Sequence, residues 1–340
     1  MATYTGLFDA LGLRDWCDSE KKPSLLSLRS LRGEEEAAWY EFPFPSLDNL
    51  HSACNAVPQT RDMTAGLESG FLAVRPALRT VLDPLTQPLS WALDSALTLF
   101  TATPWWALVP IFCFFCYRVA RSASVALLVA VIMAFFLFTD HYGYAMQTLA
   151  IIFVCTLICV ALGVPIGILM SKSDTTQRVV TPILDMLQTL PTFVYLIPLI
   201  FLFKITEPKL YGMAIILYAI VPVIRLTNLG IRLVDQSVIE AANAYGMESR
   251  QRLIGVEIPL ALPNIMAGVN QTIMMSLAMV VIASLVSAPG LGTLVLDGIN
   301  NLRLGVGFVA GFAIVLLAIL LDRVSKAALD RINAAQAEMK

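Results

Sequence analysis

Residues 146–170 read MQTLAIIFVCTLICVALGVPIGILM, a run with no charged side chain. A helix that crosses the hydrocarbon core of a bilayer needs about 20 apolar residues. This run meets that length, and the reading repeats on both sides of it. Hydrophobic segments stand at about 102–117, 122–138, 146–170, 179–203, 209–224, 264–287 and 304–321. The first two are slightly short but free of charge, and segment 179–203 carries a single acid, Asp185, near its start. The whole chain agrees with this reading. Of 340 residues, 57% are hydrophobic and only 14% charged, about half the charged share of an ordinary globular protein. Such a chain cannot build the polar shell of a soluble domain, and it is too apolar to be disordered. A net charge of −2 also argues against a basic nucleic-acid binder, so no nucleic-acid partner is expected. The expected class is all-α, a polytopic membrane protein with about seven transmembrane helices and the lipid bilayer as its solvent.

Basic residues in the connections set the expected orientation, because Lys and Arg accumulate on the cytoplasmic side. One side collects Arg118, Arg121, Lys172, Arg178, Arg225, Arg232, Arg250, Arg252, Arg323, Lys326, Arg331 and Lys340. The other side has only Lys204, Lys209 and Arg303. The bias places the C-terminal tail, 331–340, in the cytoplasm. Seven spans then place the N-terminal tail outside, and long tails escape the charge rule. Met1 to Asp15 lacks the basic and apolar regions of a cleaved leader, so the first span is expected to carry the tail across.

The first 98 residues are a different material. Residues 1–70 form a polar tail with the acidic run Glu34, Glu35 and Glu36, and prolines at 43, 45 and 58. Across 71–98, apolar residues recur at three- and four-residue steps with Arg75, Arg79, Asp83 and Asp94 between them. Pro76, Pro84 and Pro88 are expected to break this stretch into short amphipathic helices. These suit the membrane interface or, equally, a small helical domain packed on a partner. Residues 99–330 then form the transmembrane domain. Of six cysteines, Cys113, Cys116, Cys155 and Cys159 lie in apolar stretches, where cysteine packs as a small hydrophobe. No metal site is expected. Cys17 and Cys54 fall in the tail.

Between spans five and six lies a cytoplasmic connection of about 40 residues, 225–263, far longer than most of its neighbours. Its central part, 232–260, carries Ser237-Val238-Ile239-Glu240, the spacing of a capping box that opens a helix. Ala241, Ala242 and Ala244 favour the helix, and Gly246 can take the left-handed conformation that ends one. A second short helix over Glu248 to Glu257 is expected to stop at Pro259. Helix, turn and helix, with small residues at the bend, form a shape that enters a groove on another protein.

Glu240-Ala241-Ala242-x3-Gly246-x9-Val256-x-Ile258-Pro259 resembles the EAA loop of ABC importer permeases, EAA-x3-G-x9-I-x-L-P, with two conservative departures at Val256 and Ile258. Further stretches at 185–189, 191–196, 224–227 and 263–272 are similar to permease subunits of the glycine betaine/proline betaine (quaternary amine) uptake branch. The likeness covers roughly 85–330. It implies a type I ABC importer (MetI-like) permease fold in a bacterial inner membrane. It implies that Glu240, Ala241, Ala242, Gly246, Val256, Ile258 and Pro259 form the element that docks into an ATP-binding ABC ATPase subunit. It also implies a second copy of this chain and an extracytoplasmic substrate-binding protein whose aromatic cage holds the ligand. Glycine betaine, proline betaine, choline and trimethylamine N-oxide are the implied substrates. The chain itself is then non-catalytic and carries no cofactor, with ATP and Mg on the partner ATPase.

The residues agree with a borrowed energy source. No Gly-x4-Gly-Lys-Ser/Thr phosphate loop occurs, and Asp185 is the only intramembrane acid, read as a helix cap or interhelical contact. On span six, Thr272 and Ser276, then Ala283 and Ser287, repeat at i, i+4. This face either lines the pathway or lets helices approach closely. Phe193, Tyr195 and Tyr218 either offer ring faces to a trimethylammonium cation or pack among helices. Pro191 and Pro198 are expected to kink span four. Pro289, Gly290 and Gly292 break the chain on the outer side, where a re-entrant turn would form part of an outer gate. An ABC permease for another small polar solute is the alternative reading, and a secondary carrier a distant one.

Overall fold

The computed structural model of the protein describes residues 8, 11–13, 17, 46–54 and 56–337. The acidic run at 34–36, most of the 1–70 tail and Lys340 lie outside the described residues. Among the described residues every regular element is helical. The chain divides into two compact units, 1–78 and 79–340.

In the first unit, α1 (Leu47–Ala53) is capped by the Ser46 hydroxyl, which accepts from the Asn49 N–H at 3.3 Å. Cys17 and Cys54 form a disulfide across a separation of 37 residues. Neither the pairing nor its consequence was read from the sequence.

Helix α2 runs from Thr60 to Ala102 without interruption, so the expected break into short helices does not occur. A proline removes one helix hydrogen bond, but its fixed φ is itself helical. Here tertiary packing compensates for the lost bonds. Within the second unit Thr86, Leu89, Ser90 and Leu93 are buried, and Leu89 and Leu93 close over Gly212. An ion cluster adds to this packing. Asp83 accepts from Lys209 Nζ at 2.7 Å and from Arg79 Nε at 3.0 Å, and Glu207 lies 3.4 Å from both cations. The Lys209 side chain is 6% exposed, with the Phe203 ring 5.3 Å away.

Helix α3 (Trp105–Ala120) follows at a bend of 112°, and α4 (Ala123–Phe138) is apolar but has only 16 residues. Helix α5 (Tyr142–Lys172) holds the stretch that decided the fold. The fourth hydrophobic segment is not one straight span. Helix α6 (Asp174–Thr189) ends before Pro191, and a 3-10 turn (Thr192–Tyr195) leads into α7 (Leu196–Leu202) at 106°. Proline at 191 disfavours helix at the preceding residue, and Leu190 is extended with ψ 134°.

Helix α8 (Pro208–Arg232) is the most enclosed part of the bundle. Cys159 lies against the Ile216 carbonyl, Gly167 against Thr227, and Arg232 donates to the Met170 carbonyl at 3.0 Å. Both series rise together, so α5 and α8 run parallel. Their connection must therefore return across the same thickness, which is the work of the broken α6–α7 segment. Helix α11 (Ile258–Ala283) packs antiparallel on α8, with Gly268 against Val223 and Leu226, and Asn264 against Gly230. Small residues let these backbones approach closely. Helices α12 (Leu291–Asn300) and α13 (Leu304–Ala337) complete the fold, and Ser325 of α13 bonds to Asn270 of α11.

Among the described residues four helices are long and apolar enough to cross a membrane: Tyr142–Lys172, Pro208–Arg232, Ser249–Val286 and Leu304–Arg331. The two bent pairs raise the number to six if each is one span. Seven apolar segments therefore do not translate into seven straight helices, because hydropathy does not see the bends. Cys116, Cys155 and Cys159 are buried free thiols and Cys113 is half-buried, as small apolar side chains would be.

Candidate coupling loop and translocation path

Helix α8 continues eight residues beyond the hydrophobic segment that ends at 224. Its polar end is held by specific partners. Arg225 pairs with Asp185, so of the two roles expected for that acid, helix cap or interhelical contact, the structure has the second. Arg232 pairs with Asp174 at 2.7 Å and with Asn228 at 3.1 Å. The connection outside helices α8 and α11 is thus shorter than hydropathy suggested.

Within it stands α9 (Gln236–Ala244). The expected N-cap is displaced by two residues, and no capping box forms on α9. Asp235 is the N-cap, and its carboxylate accepts from the Ser237 N–H at 2.9 Å. That backbone hydrogen bond holds the Asp235 carboxyl below its usual range. Asp and Ser are comparable N-caps, and Asp235 lies where the chain is still extended. Glu240 is therefore not engaged at the helix N-terminus. It is exposed, and its carboxylate accepts from Gln236 at 3.5 Å. Ala241 is exposed and Ala242 faces inward, 5% exposed.

The turn after α9 is as expected. Gly246 has φ +78°, its N–H donates to the Asn243 carbonyl at 2.9 Å, and the Met247 N–H donates to the Ala242 carbonyl at 3.2 Å. These two bonds make a Schellman motif with glycine at the left-handed position. A capping box does occur, but on the next helix. Glu248 and Gln251 bracket α10 (Ser249–Arg252). A π-helical turn, Leu253–Glu257, then leads straight into α11. Pro259 does not stop this helix; it stands in the first turn of α11, directly after the π turn. Val256 and Ile258 are half-buried and Pro259 exposed. Ile258 and Leu253 pack on the buried cluster of Ile231, Ala261 and Ile265, which seats the loop on the bundle.

The other site residues fall into two groups. Thr272 and Ser276 are fully buried within this chain's own bundle, and their hydroxyls have no hydrogen-bond partner. Tyr195 is also buried with an unpartnered hydroxyl, and Tyr218 is half-buried. Phe193 is 58% exposed on the turn after the Pro191 break. Ser287 is exposed and left-handed, with φ +67°. Beside it the turn at 287–291 is locked to α5. The Thr148 hydroxyl accepts from the Leu291 N–H at 2.9 Å and donates to the Tyr144 carbonyl at 3.0 Å. Gly290 has φ +126°, and a Cβ there would stand 2.3 Å from the Thr148 hydroxyl. Pro289 is half-buried, and Gly292 is buried against Ser284. The geometry therefore brings Pro289, Gly290 and Gly292 to one turn and keeps Thr272 and Ser276 apart from it. Thr148 was missed because nothing in its surroundings marks one threonine of an apolar run.

Residues 163–334 match the family described as binding-protein-dependent transport system inner membrane component. The glycine betaine transport system permease protein OpuAB of Bacillus subtilis (strain 168) is 48% identical over 195 residues, 56% of this chain and 68% of that protein. The glycine betaine/proline betaine transport system permease protein ProW of Escherichia coli (strain K12) is 37% identical over 286 residues, 84% of this chain and 78% of that protein. Among solved structures, a chain of the MetNI methionine ABC transporter in an inward-facing conformation superposes with a TM-score of 0.51 at 18% identity. That superposition covers 56% of this chain and 94% of the other. The last likeness concerns the fold alone, and it bears out the MetI-like expectation. With the exposed Glu240–Pro259 loop seated on a parallel α5–α8 core, the chain belongs to the family of binding-protein-dependent transport system inner membrane components.

Proposed function

We propose that this chain is the permease subunit of an ATP-driven importer for a small methylated amine or betaine. The observation that carries the reading is the loop from Asp235 to Pro259. It presents the exposed helix α9, ended by the Gly246 turn, at the end of the bundle where Arg225, Arg232, Arg250 and Arg252 cluster. That end is cytoplasmic by the charge rule. An ATPase that holds ATP and Mg receives α9, and this chain contributes no catalytic group. Two copies of the chain present two such helices. An extracytoplasmic binding protein delivers the substrate. Phe193 and Ser287 are the accessible candidates for the pathway, whereas the sealed hydroxyls of Thr272 and Ser276 suit close helix packing.

The same reading places the N-terminal tail outside. The Cys17–Cys54 disulfide supports it, because such bonds persist in oxidising compartments and are rare in the cytosol. Helix α2 then lies at the outer interface. It buries Leu89 and Leu93 against the bundle and exposes Val81, Leu85 and Leu99 on another face. The test is uptake of radiolabelled glycine betaine, proline betaine, choline and trimethylamine N-oxide in a host that lacks its own systems. Expression includes the partner ATPase and binding protein. Uptake of one of these amines supports the reading; uptake of sugars or ordinary amino acids alone would overturn it.

A further inference from the structure

Glu257 occupies the unassigned position between Val256 and Ile258 in the loop pattern, yet it is the most deeply buried charge of the cytoplasmic end, at 1% exposure. One carboxylate oxygen takes Lys172 Nζ, the last residue of α5, and the other takes Arg252 Nε at 2.9 Å. Arg252 uses its Nη1 to bond the Asn243 side chain on α9. A continuous polar chain therefore runs from α9 through Arg252 and Glu257 to the end of α5. Beneath it, the π turn Leu253–Glu257 connects α10 to α11. Single π turns inside helices are rare and frequently stand at functional sites. Relaxing one to α-helix changes the register by one residue and would rotate the helix before it by about 100°. Glu257 stands at the end of that turn and ties it sideways to α5.

Resting on the permease reading above, we infer that Glu257 is a positioning residue for coupling. It holds the π turn in register, so that a displacement of α9 moves α5 and α11 together. Without the carboxylate, Lys172 and Arg252 face each other as like charges, and α9 can turn without carrying α5.

The test uses the complete transporter, with ATPase and binding protein, in proteoliposomes. Uptake of radiolabelled glycine betaine and phosphate release are measured in the same vesicles. Glu257→Gln and Lys172→Gln are compared, with Glu257→Asp as the conservative variant. Lys172 is 38% exposed, so its loss tests the tie where a change at the buried acid could impair folding. Both Gln variants are expected to hydrolyse ATP near the wild-type rate while uptake per ATP falls about fivefold or more, the scale of a coupling energy between sites. Glu257→Asp should recover part of the ratio. An unchanged uptake-to-hydrolysis ratio in both Gln variants, whether the two rates persist or fall together, would overturn the inference. Wild-type vesicles that fail to import with ATP would refute the permease reading and this inference together, before any substitution is made.

Discussion

Replacing Gly246 tests the coupling loop with a perturbation whose size can be worked out. The glycine sits at φ +78°, and no atom lies within 4 Å of the place a Cβ would occupy. A Cβ there meets nothing beyond its chain neighbours, so the left-handed backbone sets the main cost. That penalty is about 1–2 kcal/mol for an L-residue, and it is greatest for a β-branched one. It favours an opened turn by a factor of roughly 5–30. The opened turn loses the bonds from Gly246 to Asn243 and from Met247 to Ala242, which aim α9. Because the turn lies outside the bundle, Gly246→Val should leave membrane abundance near wild type. It should abolish betaine uptake and weaken ATPase co-purification. The cost should be graded. Asn tolerates the left-handed region and should retain most uptake, Ala should be intermediate, and Val lowest. Full uptake by Gly246→Val at matched abundance, or an Asn variant as poor as Val, would refute the reasoning.

Three other outcomes are expected. A membrane-impermeant maleimide should label Cys17 and Cys54 in intact cells only after reduction of their disulfide; labelling that needs lysis would reverse the orientation. Gly290→Ala should lower abundance and uptake, because the new methyl strikes Thr148 at φ +126° and such strain costs about 1–3 kcal/mol; a variant with wild-type levels of both would contradict the lock. Lys209→Met leaves Arg79 as the one cation still shared by Asp83 and Glu207 and removes the buried one. With the lysine buried and both acids partly solvated, the loss should be about 1–3 kcal/mol, between exposed and buried pairs. It is read as a lower melting temperature of the detergent-solubilised chain, and an unchanged one would show that Lys209 does not hold α2.

The sequence carried the strongly patterned parts of this fold and missed those set by partners distant in the chain. The charge-free run at 146–170 is α5 nearly as drawn, because hydrocarbon thickness imposes a length that hydropathy records. Local rules for proline break helix α2 into pieces, while the partners that keep it whole, Gly212 under Leu89 and Leu93 and the Lys209 cluster, lie more than 100 residues on in the chain. The bend at Pro191 was partly legible, since proline breaks helices, but its angle of 106° depends on packing. In the loop, Gly246 was legible because a turn needs that residue. The cap was assigned to Ser237 instead of Asp235, two good caps two residues apart. Glu257 left one faint signal, a lone carboxylate in the apolar run 253–262, and its partner Lys172 is 85 residues away. Cys17 and Cys54 offered only two cysteines in a polar tail.

The most direct measurement is ATP-dependent uptake by the reconstituted assembly. This chain, its ATPase and its binding protein are placed in proteoliposomes, with radiolabelled glycine betaine outside and ATP with Mg inside. The account predicts accumulation that requires all three proteins and hydrolysable ATP, and that persists when ion gradients are collapsed. Accumulation by this chain alone, driven by a proton or sodium gradient and indifferent to ATP, would contradict it.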